Sequence, residues 1–172
     1  MLEEHAKIVE LISRTAGAIG QKQLQKAIYI LQQFGLPFHQ IYHFHVHGPH
    51  SQELALQLDE LCAFNFLREV PDVPCGSIGY QITATGEHFL AHYDRLLPDM
   101  TGPACRLAAI NDSTLELAAL LLYFSRQPGE QPEARIQSIR PQVDERQLAA
   151  AAQFLHTLAQ SIAVDTPVLP NR

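Results

Sequence analysis

The first 97 residues alternate between helical and extended patterns of apolar residues, and the order of these patterns constrains the fold more than any other feature. Apolar residues recur every three to four positions in a helix with one buried face and every second position in a half-buried strand. The order helix, helix, strand, helix, hairpin and closing helix predicts a winged helix-turn-helix module. The predicted elements are helices over His5–Ala16, Gly20–Gln33 and Ser51–Phe66, a strand over Ile41–His47, and hairpin strands at Leu67–Val70 and Tyr80–Thr83.

Capping residues and chain breakers predict where these elements begin and end. Ser51 is expected to cap the third helix, because a serine hydroxyl readily accepts a bond from a free N–H of the first turn. Thr83 or Thr85 is expected to do the same for the helix that closes the module. Gly48-Pro49 is expected to end the strand before Ser51.

The rest of the chain predicts a helical extension. Residues 98–111 contain two prolines and a glycine and are expected to form a linker. Residues 112–163 are expected to pack as helices on the domain formed by residues 1–97, and residues 164–172 to form a flexible tail. The fold class is therefore mainly α, of α+β type, with a small β-hairpin. The capping boxes expected in the extension are Ser113 with Glu116 and Asp144 with Gln147.

Composition excludes several classes of protein. The chain has 172 residues and a formal net charge of -6, which argues against coating nucleic acid by bulk electrostatics. No apolar run approaches the ~18 residues of a membrane span, so no membrane partner is expected. Three widely spaced cysteines without a CxxC pair favour reduced thiols and a cytoplasmic location. Of these, Cys62 is expected in the core and Cys75 in an exposed turn.

The second helix offers a candidate binding face. It carries two lysines and no acidic residue, and its polar side chains could contact phosphates or a protein partner. The alternative interpretation is an ordinary solvated helix face. The candidate residues for a protein or nucleic-acid partner are Gln21, Lys22, Gln25 and Lys26.

Five of the nine histidines lie within twelve residues and form a candidate metal site. Residues two apart on a strand are about 6.5–7 Å apart and on one face, which allows two imidazoles to reach one zinc ion. Phe44 and Val46 would then face the core. The alternative is a polar strand surface without metal. The candidate zinc ligands are His43, His45, His47, His50 and Glu53.

Three short motifs resemble those of a known family. GQKQLQKAIY (residues 20–29) resembles the G-x-K-x-LQK-x-x-Y helix of the YwgA-like bacterial proteins and of the related Panacea domain of phage-associated antitoxins. HVHGPHSQEL (residues 45–54) occupies the place of their F-x-x-YGPYS-x-x-L segment, with His47 and His50 in place of two aromatic residues. ITATG (residues 82–86) resembles their LTxxG. The resemblance covers residues ~8–95 well, and implies a helix-rich, winged-helix-like fold, a toxin-neutralising role for the Panacea relatives, and no catalytic residues.

The expected function is that of a non-catalytic, macromolecule-binding protein of regulator or antitoxin type. The partner is expected to be a protein, either a toxin or a second copy of the chain in a homodimer, with apolar C-terminal helices as a candidate dimer contact. DNA is a second candidate, although the third helix carries Glu53, Asp59 and Glu60 and no basic residue. The alternative function is a zinc-binding protein or a metal-dependent hydrolase built on the histidine cluster.

Overall fold

Most of the chain folds into helices, joined by short antiparallel strands. The computed structural model describes residues 2–15, 17–72 and 77–165. Within these residues the helices are α1 (Leu2–Ser13), α2 (Gln21–Gln33), α3 (Gln52–Ala63), α4 (Ala84–Leu90), α5 (Thr101–Ala109), α6 (Asp112–Ser125), α7 (Pro132–Ile139) and α8 (Glu145–Asp165). The strands are β1 (Ile19–Gly20), β2 (His43–His45), β3 (Gly48–His50), β4 (Leu67–Asp72) and β5 (Ser77–Ile82). The predicted mainly α fold is thus confirmed.

The first helix, predicted over His5–Ala16, runs from Leu2 to Ser13, whereas two predicted helix caps in the first part of the chain are confirmed. The Ser51 hydroxyl accepts a hydrogen bond from the N–H of Leu54 at 3.1 Å, so α3 begins as expected. The Thr83 hydroxyl accepts one from the N–H of Gly86 at 3.0 Å, which selects Thr83 over Thr85 as the cap of α4.

A three-stranded antiparallel sheet lies beside the first helices. Its strand order is β1–β5–β4, so the short strand between α1 and α2 pairs with the second strand of the hairpin. The predicted hairpin is confirmed, with Leu67 opposite Ile82 and Asp72 opposite Ser77. Cys75, which was expected in the turn of this hairpin, is outside the described residues.

The segment predicted as one strand over Ile41–His47 is instead a second hairpin. Strand β2 ends at His45, and Gly48-Pro49 does not end the strand but begins its partner β3. Val46, predicted in the core, lies at the hairpin turn and is 77% exposed. Gly48 permits this turn because its φ of 103° lies in a region that favours glycine. Phe44, also predicted in the core, is 42% exposed, although its ring packs on that of Tyr123 with centroids 5.0 Å apart.

The segment expected as a linker, residues 98–111, contains helix α5. Ala104 and Leu107 of this helix are buried in the hydrophobic core. Pro103 does not break the helix because it lies in the first turn, where a backbone N–H has no partner within the helix. Proline and glycine therefore mark the start of a helix here and not a linker.

The capping boxes predicted for the C-terminal helices have different outcomes. Helix α6 is capped by Asn111, whose side-chain oxygen accepts from the N–H of Thr114 at 2.8 Å, so the prediction of Ser113 with Glu116 is wrong. Asp144 and Gln147 form the predicted reciprocal box, with bonds of 2.8 Å and 3.0 Å. Residues 164 and 165, expected in the tail, belong to α8, and the remainder of that segment is outside the described residues.

One cluster of buried apolar side chains contains residues from both halves of the chain, including Ile28 of α2 and Leu120 of α6. Most apolar side chains of α6 are buried inside the monomer, so they are not available for the expected dimer contact. No single helix in the described part of the chain is long and apolar enough to cross a membrane; α5 and α6 meet those criteria only together, bent by 115°.

Gly86 provides a test of the packing between α4 and the β4–β5 hairpin. A Cβ at this position would overlap the carbonyl oxygen of Phe66, which is backbone and cannot move freely. We expect Gly86→Ala to lower the free energy of unfolding by roughly 1–3 kcal/mol in urea denaturation. Gly102→Ala is the matched control, because nothing lies within 4 Å of the methyl group that alanine would add and the helix gains propensity. Equal stability of the two variants would contradict the packing described.

Candidate functional site

The start of α2 and the β2–β3 hairpin enclose a groove of about 320 Å³, here called the α2–hairpin groove. The groove brings together two sets of residues that the sequence predicted as separate sites: the polar residues of α2 and three of the candidate zinc ligands. Its lining residues are Gln21, Lys22, Gln25, Lys26, His45, His47, Gly48, Pro49 and His50.

Two glutamines of α2 hold the hairpin segment on the helix. The Gln25 side chain donates to the carbonyl of Ser51 at 2.8 Å and accepts from the N–H of Ser51 at 2.9 Å. Gln32, two turns further along α2, makes the same pair of bonds to the backbone of Gln40, both at 2.9 Å. The Tyr42 hydroxyl adds a bond to the carbonyl of Gln25 at 3.0 Å. We call the two glutamine side chains with their backbone partners the glutamine clamp.

Buried side-chain bonds extend the glutamine clamp to α3. The Gln40 side chain donates to Gln57 of α3 at 2.7 Å and accepts from the Ser51 hydroxyl at 3.3 Å. Sequence reasoning missed Gln40 and Gln57. Their only signal is that they are glutamines beside apolar residues, and that signal does not distinguish a buried amide from a solvated one.

Gln25 and Lys26 do not lie on a solvated helix face, which corrects that interpretation of the sequence. Gln25 is 4% exposed and Lys26 is 6% exposed, whereas Lys22 is exposed. The physical reason is that the hairpin covers this side of α2. The sequence alone does not show that the hairpin covers these two residues.

The Lys26 side chain is buried, and its ammonium has no direct partner in the described part of the chain. Within residues 2–15, 17–72 and 77–165, no side chain or carbonyl forms a hydrogen bond or salt bridge with it. Burial lowers the pKa of Lys26, while the charges of Glu116 and Asp112 act in the opposite direction. Glu116 itself forms a salt bridge with Arg140 at 2.7 Å. A buried cation of this kind is costly to the fold unless something else compensates its charge.

Two histidines of the hairpin meet at the groove. The rings of His45 and His50 have centroids 5.1 Å apart. Burial, followed by the proximity of His45, lowers the pKa of His50. His39, the first of the five clustered histidines, lies elsewhere, with its Nδ1 2.9 Å from Glu4.

The complete zinc ligand set expected from the sequence is not brought together. His45, His47 and His50 line the groove, whereas His43 and Glu53 do not. In the part of the chain that the structure describes, no three His, Cys, Asp or Glu side chains are arranged to hold a metal ion. Zinc binding therefore stays a prediction, which elemental analysis of untagged protein would test.

Loss of the Gln25 side chain tests the glutamine clamp. Gln25→Ala leaves the buried N–H and carbonyl of Ser51 without their partners, so we expect the free energy of unfolding to fall by roughly 2–4 kcal/mol. Gln33→Ala on the same helix is the control and should change stability by less than about 0.5 kcal/mol. Urea unfolding of both variants measures the difference. Similar losses in the two variants would show that Gln25 contributes only helix propensity.

Removal of the Lys26 charge is expected to stabilise the protein. Because its pKa is lowered by folding, the protonated lysine is disfavoured in the native state at neutral pH. Lys26→Met should therefore raise the free energy of unfolding by about 1 kcal/mol and the melting temperature by roughly 2–4 °C. The advantage of the variant should shrink as the pH rises toward the ordinary lysine value of 10.5, where both states of the wild type lose the proton. A melting temperature below that of the wild type at neutral pH would contradict a net cost of the buried charge.

Comparison with known proteins identifies the family of the chain. No protein-family model matches it. The chain is 37% identical over 164 residues to the uncharacterized protein YwgA of Bacillus subtilis strain 168. The alignment covers 93% of this chain and 99% of that protein, so the similarity includes the helical second half as well as the groove. The chain therefore belongs to the YwgA family.

Proposed function

We propose that the protein is a non-catalytic regulator that binds a protein partner through the outward face of α3. The observation that carries this proposal is a pair of large apolar side chains on that face. Leu56 is 55% exposed and Phe64, at the end of the helix, is 54% exposed. They lie eight residues apart, which places them on the same side of a helix. Contiguous exposed apolar patches mark binding surfaces, and we propose that these two side chains belong to one.

The charges around these side chains indicate the chemistry of the partner. Glu53 and Asp59 are exposed on the same helix, and so is Glu60, which contacts His5 at 2.8 Å. The sequence of α3 contains no lysine or arginine. We therefore propose a partner with a basic surface around an apolar centre, because such a surface complements the face in both charge and hydrophobicity.

The order of elements supports a winged-helix-like arrangement of residues 1–97. Helices α1, α2 and α3 precede the β4–β5 hairpin, and β1 joins the sheet from between the first two helices. In many proteins with this arrangement, the helix at the position of α3 reads DNA. Its carboxylates would repel the phosphate backbone, so this face suits a protein better than DNA.

The resemblance to Panacea antitoxin domains supports a specific role for such a partner. We propose that the partner is a toxin that the chain neutralises by covering a basic surface. Self-association through α3 is the alternative, and it would bring the same acidic residues of two copies together. The repulsion between these like charges disfavours that alternative.

A double substitution on α3 tests the proposal. The full chain with Leu56→Ser and Phe64→Ser is compared with wild type and with Ile139→Ser, which changes an exposed apolar residue on α7. Each protein is used to capture partners from cells of the encoding organism, and the affinity for the purified partner is then measured. We expect the double variant to bind at least about thirty-fold more weakly, as for loss of central apolar contacts, and the control to bind like wild type.

The partner and the salt dependence provide further criteria. The captured protein should carry a basic surface, and its binding should weaken as salt rises. Equal binding by the double variant and wild type would overturn the proposal. Specific DNA binding that the α3 substitutions abolish would overturn it in favour of a DNA-binding regulator.

A further inference from the structure

We infer that the α2–hairpin groove binds a small phosphate monoester, with the phosphate held at the start of α2 beside Lys22 and Lys26. This site is separate from the outward face of α3 and does not depend on the protein partner proposed above. Three independent features of the groove lead to this inference: a lysine whose side chain is buried but has no direct partner among the described residues, a helix N-terminus without a side-chain cap, and a lining without carboxylates.

The first feature is Lys26. Its side chain is more than nine-tenths buried, lines the groove, and forms no hydrogen bond or salt bridge in the part of the chain that the structure describes. Every fully buried side-chain nitrogen or oxygen in that part has a hydrogen-bond partner. Because the Lys26 ammonium has no such partner there, it is not fully buried. The opening that its side chain lines is the groove. An anion in the groove would supply the missing partner.

The second feature is the N-terminus of α2. The helix has 13 residues and begins after Gly20, which has no side chain to cap the free N–H groups. Its first turn contains no acidic residue, so nothing on the helix itself neutralises the positive end of the helix dipole. Gln21 and Lys22, the first two residues of α2, line the groove. Helix N-termini with these properties favour phosphate groups.

The third feature is the charge around the groove. None of its nine lining residues is acidic, and two are lysines. Beyond the lining residues, the charges of Glu116 and Asp112 favour the protonated form of Lys26, and those of Lys22 and Arg140 disfavour it. The Glu116 carboxylate is already engaged by Arg140 at 2.7 Å. The groove therefore offers net positive charge to a ligand.

The hairpin side of the groove indicates that the ligand carries an organic group. A volume of about 320 Å³ exceeds the needs of a phosphate ion and is at the lower end of pockets for small organic ligands. Gly48 and Pro49 provide an apolar surface there, and the paired rings of His45 and His50 provide planar ones.

The test uses the full chain and three defined probes. Calorimetric titrations near neutral pH compare inorganic phosphate, adenosine monophosphate and adenosine. The variant is Lys26→Met, which should fold at least as well as wild type, so weaker binding cannot be attributed to unfolding. The control is Arg146→Gln, which removes one positive charge from an exposed position on α8.

We expect adenosine monophosphate to bind more tightly than inorganic phosphate, and adenosine to show no binding. Lys26→Met should weaken binding at least tenfold, and Arg146→Gln should leave it within twofold.

Several results would overturn the inference. One is the absence of saturable binding of either phosphate probe at concentrations up to about 10 mM, which would mean an affinity weaker than that of most ligand sites. Another is equal binding of adenosine and its monophosphate. A third is an equal effect of Lys26→Met and Arg146→Gln on the affinity for the phosphate probes. Binding of duplex DNA that Lys26→Met abolishes, without binding of the small probes, would assign the groove to a nucleic-acid backbone instead.

Discussion

The bidentate bonds between glutamines of α2 and the backbone of residues 40 and 51 are the interactions on which the rest of the site depends. The segment between α2 and α3 contains only the short β2–β3 hairpin, and it packs on the helix at two points where its backbone is buried. A buried N–H or carbonyl without a partner costs free energy comparable to a lost hydrogen bond. Gln25 and Gln32 satisfy both groups at each point, as a neighbouring strand would. They thereby fix the position of the hairpin and the wall of the groove.

The glutamine clamp also explains why two separate sequence motifs occur together. The LQK motif contains Gln25 and Lys26, and the GPHS segment contains Gly48 and Ser51. In the structure, Gln25 binds the backbone of Ser51, while the Ser51 hydroxyl caps α3. Gln25 of the first motif and Ser51 of the second therefore join α2, the hairpin and α3. The glycine that ends the third motif, ITATG, is required by its close approach to the carbonyl of Phe66.

The parts of the fold that could be predicted from sequence are those with local causes. Helical spacing and the hydroxyls of Ser51 and Thr83 act within one or two turns of chain, and so does the reciprocal pair of Asp144 and Gln147. The hairpin at residues 43–50 was missed because alternating residues fit a longer single strand equally well. The helix α5 was missed because a proline in the first turn of a helix has the same sequence appearance as a proline in a linker.

The candidate site was harder to predict because its chemistry depends on burial. The residues that the sequence grouped as one set all line the α2–hairpin groove: Gln21, Lys22, Gln25 and Lys26. The sequence could not show that the hairpin covers Gln25 and Lys26, since the covering residues are about 20 or more positions away. The histidines were predicted as a site of their own for the same reason: nothing local indicates that His45 and His50 face the lysines of α2.

The fold accounts for Gln25 but not for Lys26, and this contrast separates structural from functional residues within one motif. The amide of Gln25 satisfies buried backbone groups, so stability alone is sufficient to explain it. The ammonium of Lys26 satisfies nothing in the described chain and has a lowered pKa, so it costs the fold free energy. Residues that lower stability without a compensating contact are concentrated at binding sites. Because Lys26 follows Gln25 directly, the clamp that holds the hairpin also holds this cation at the groove.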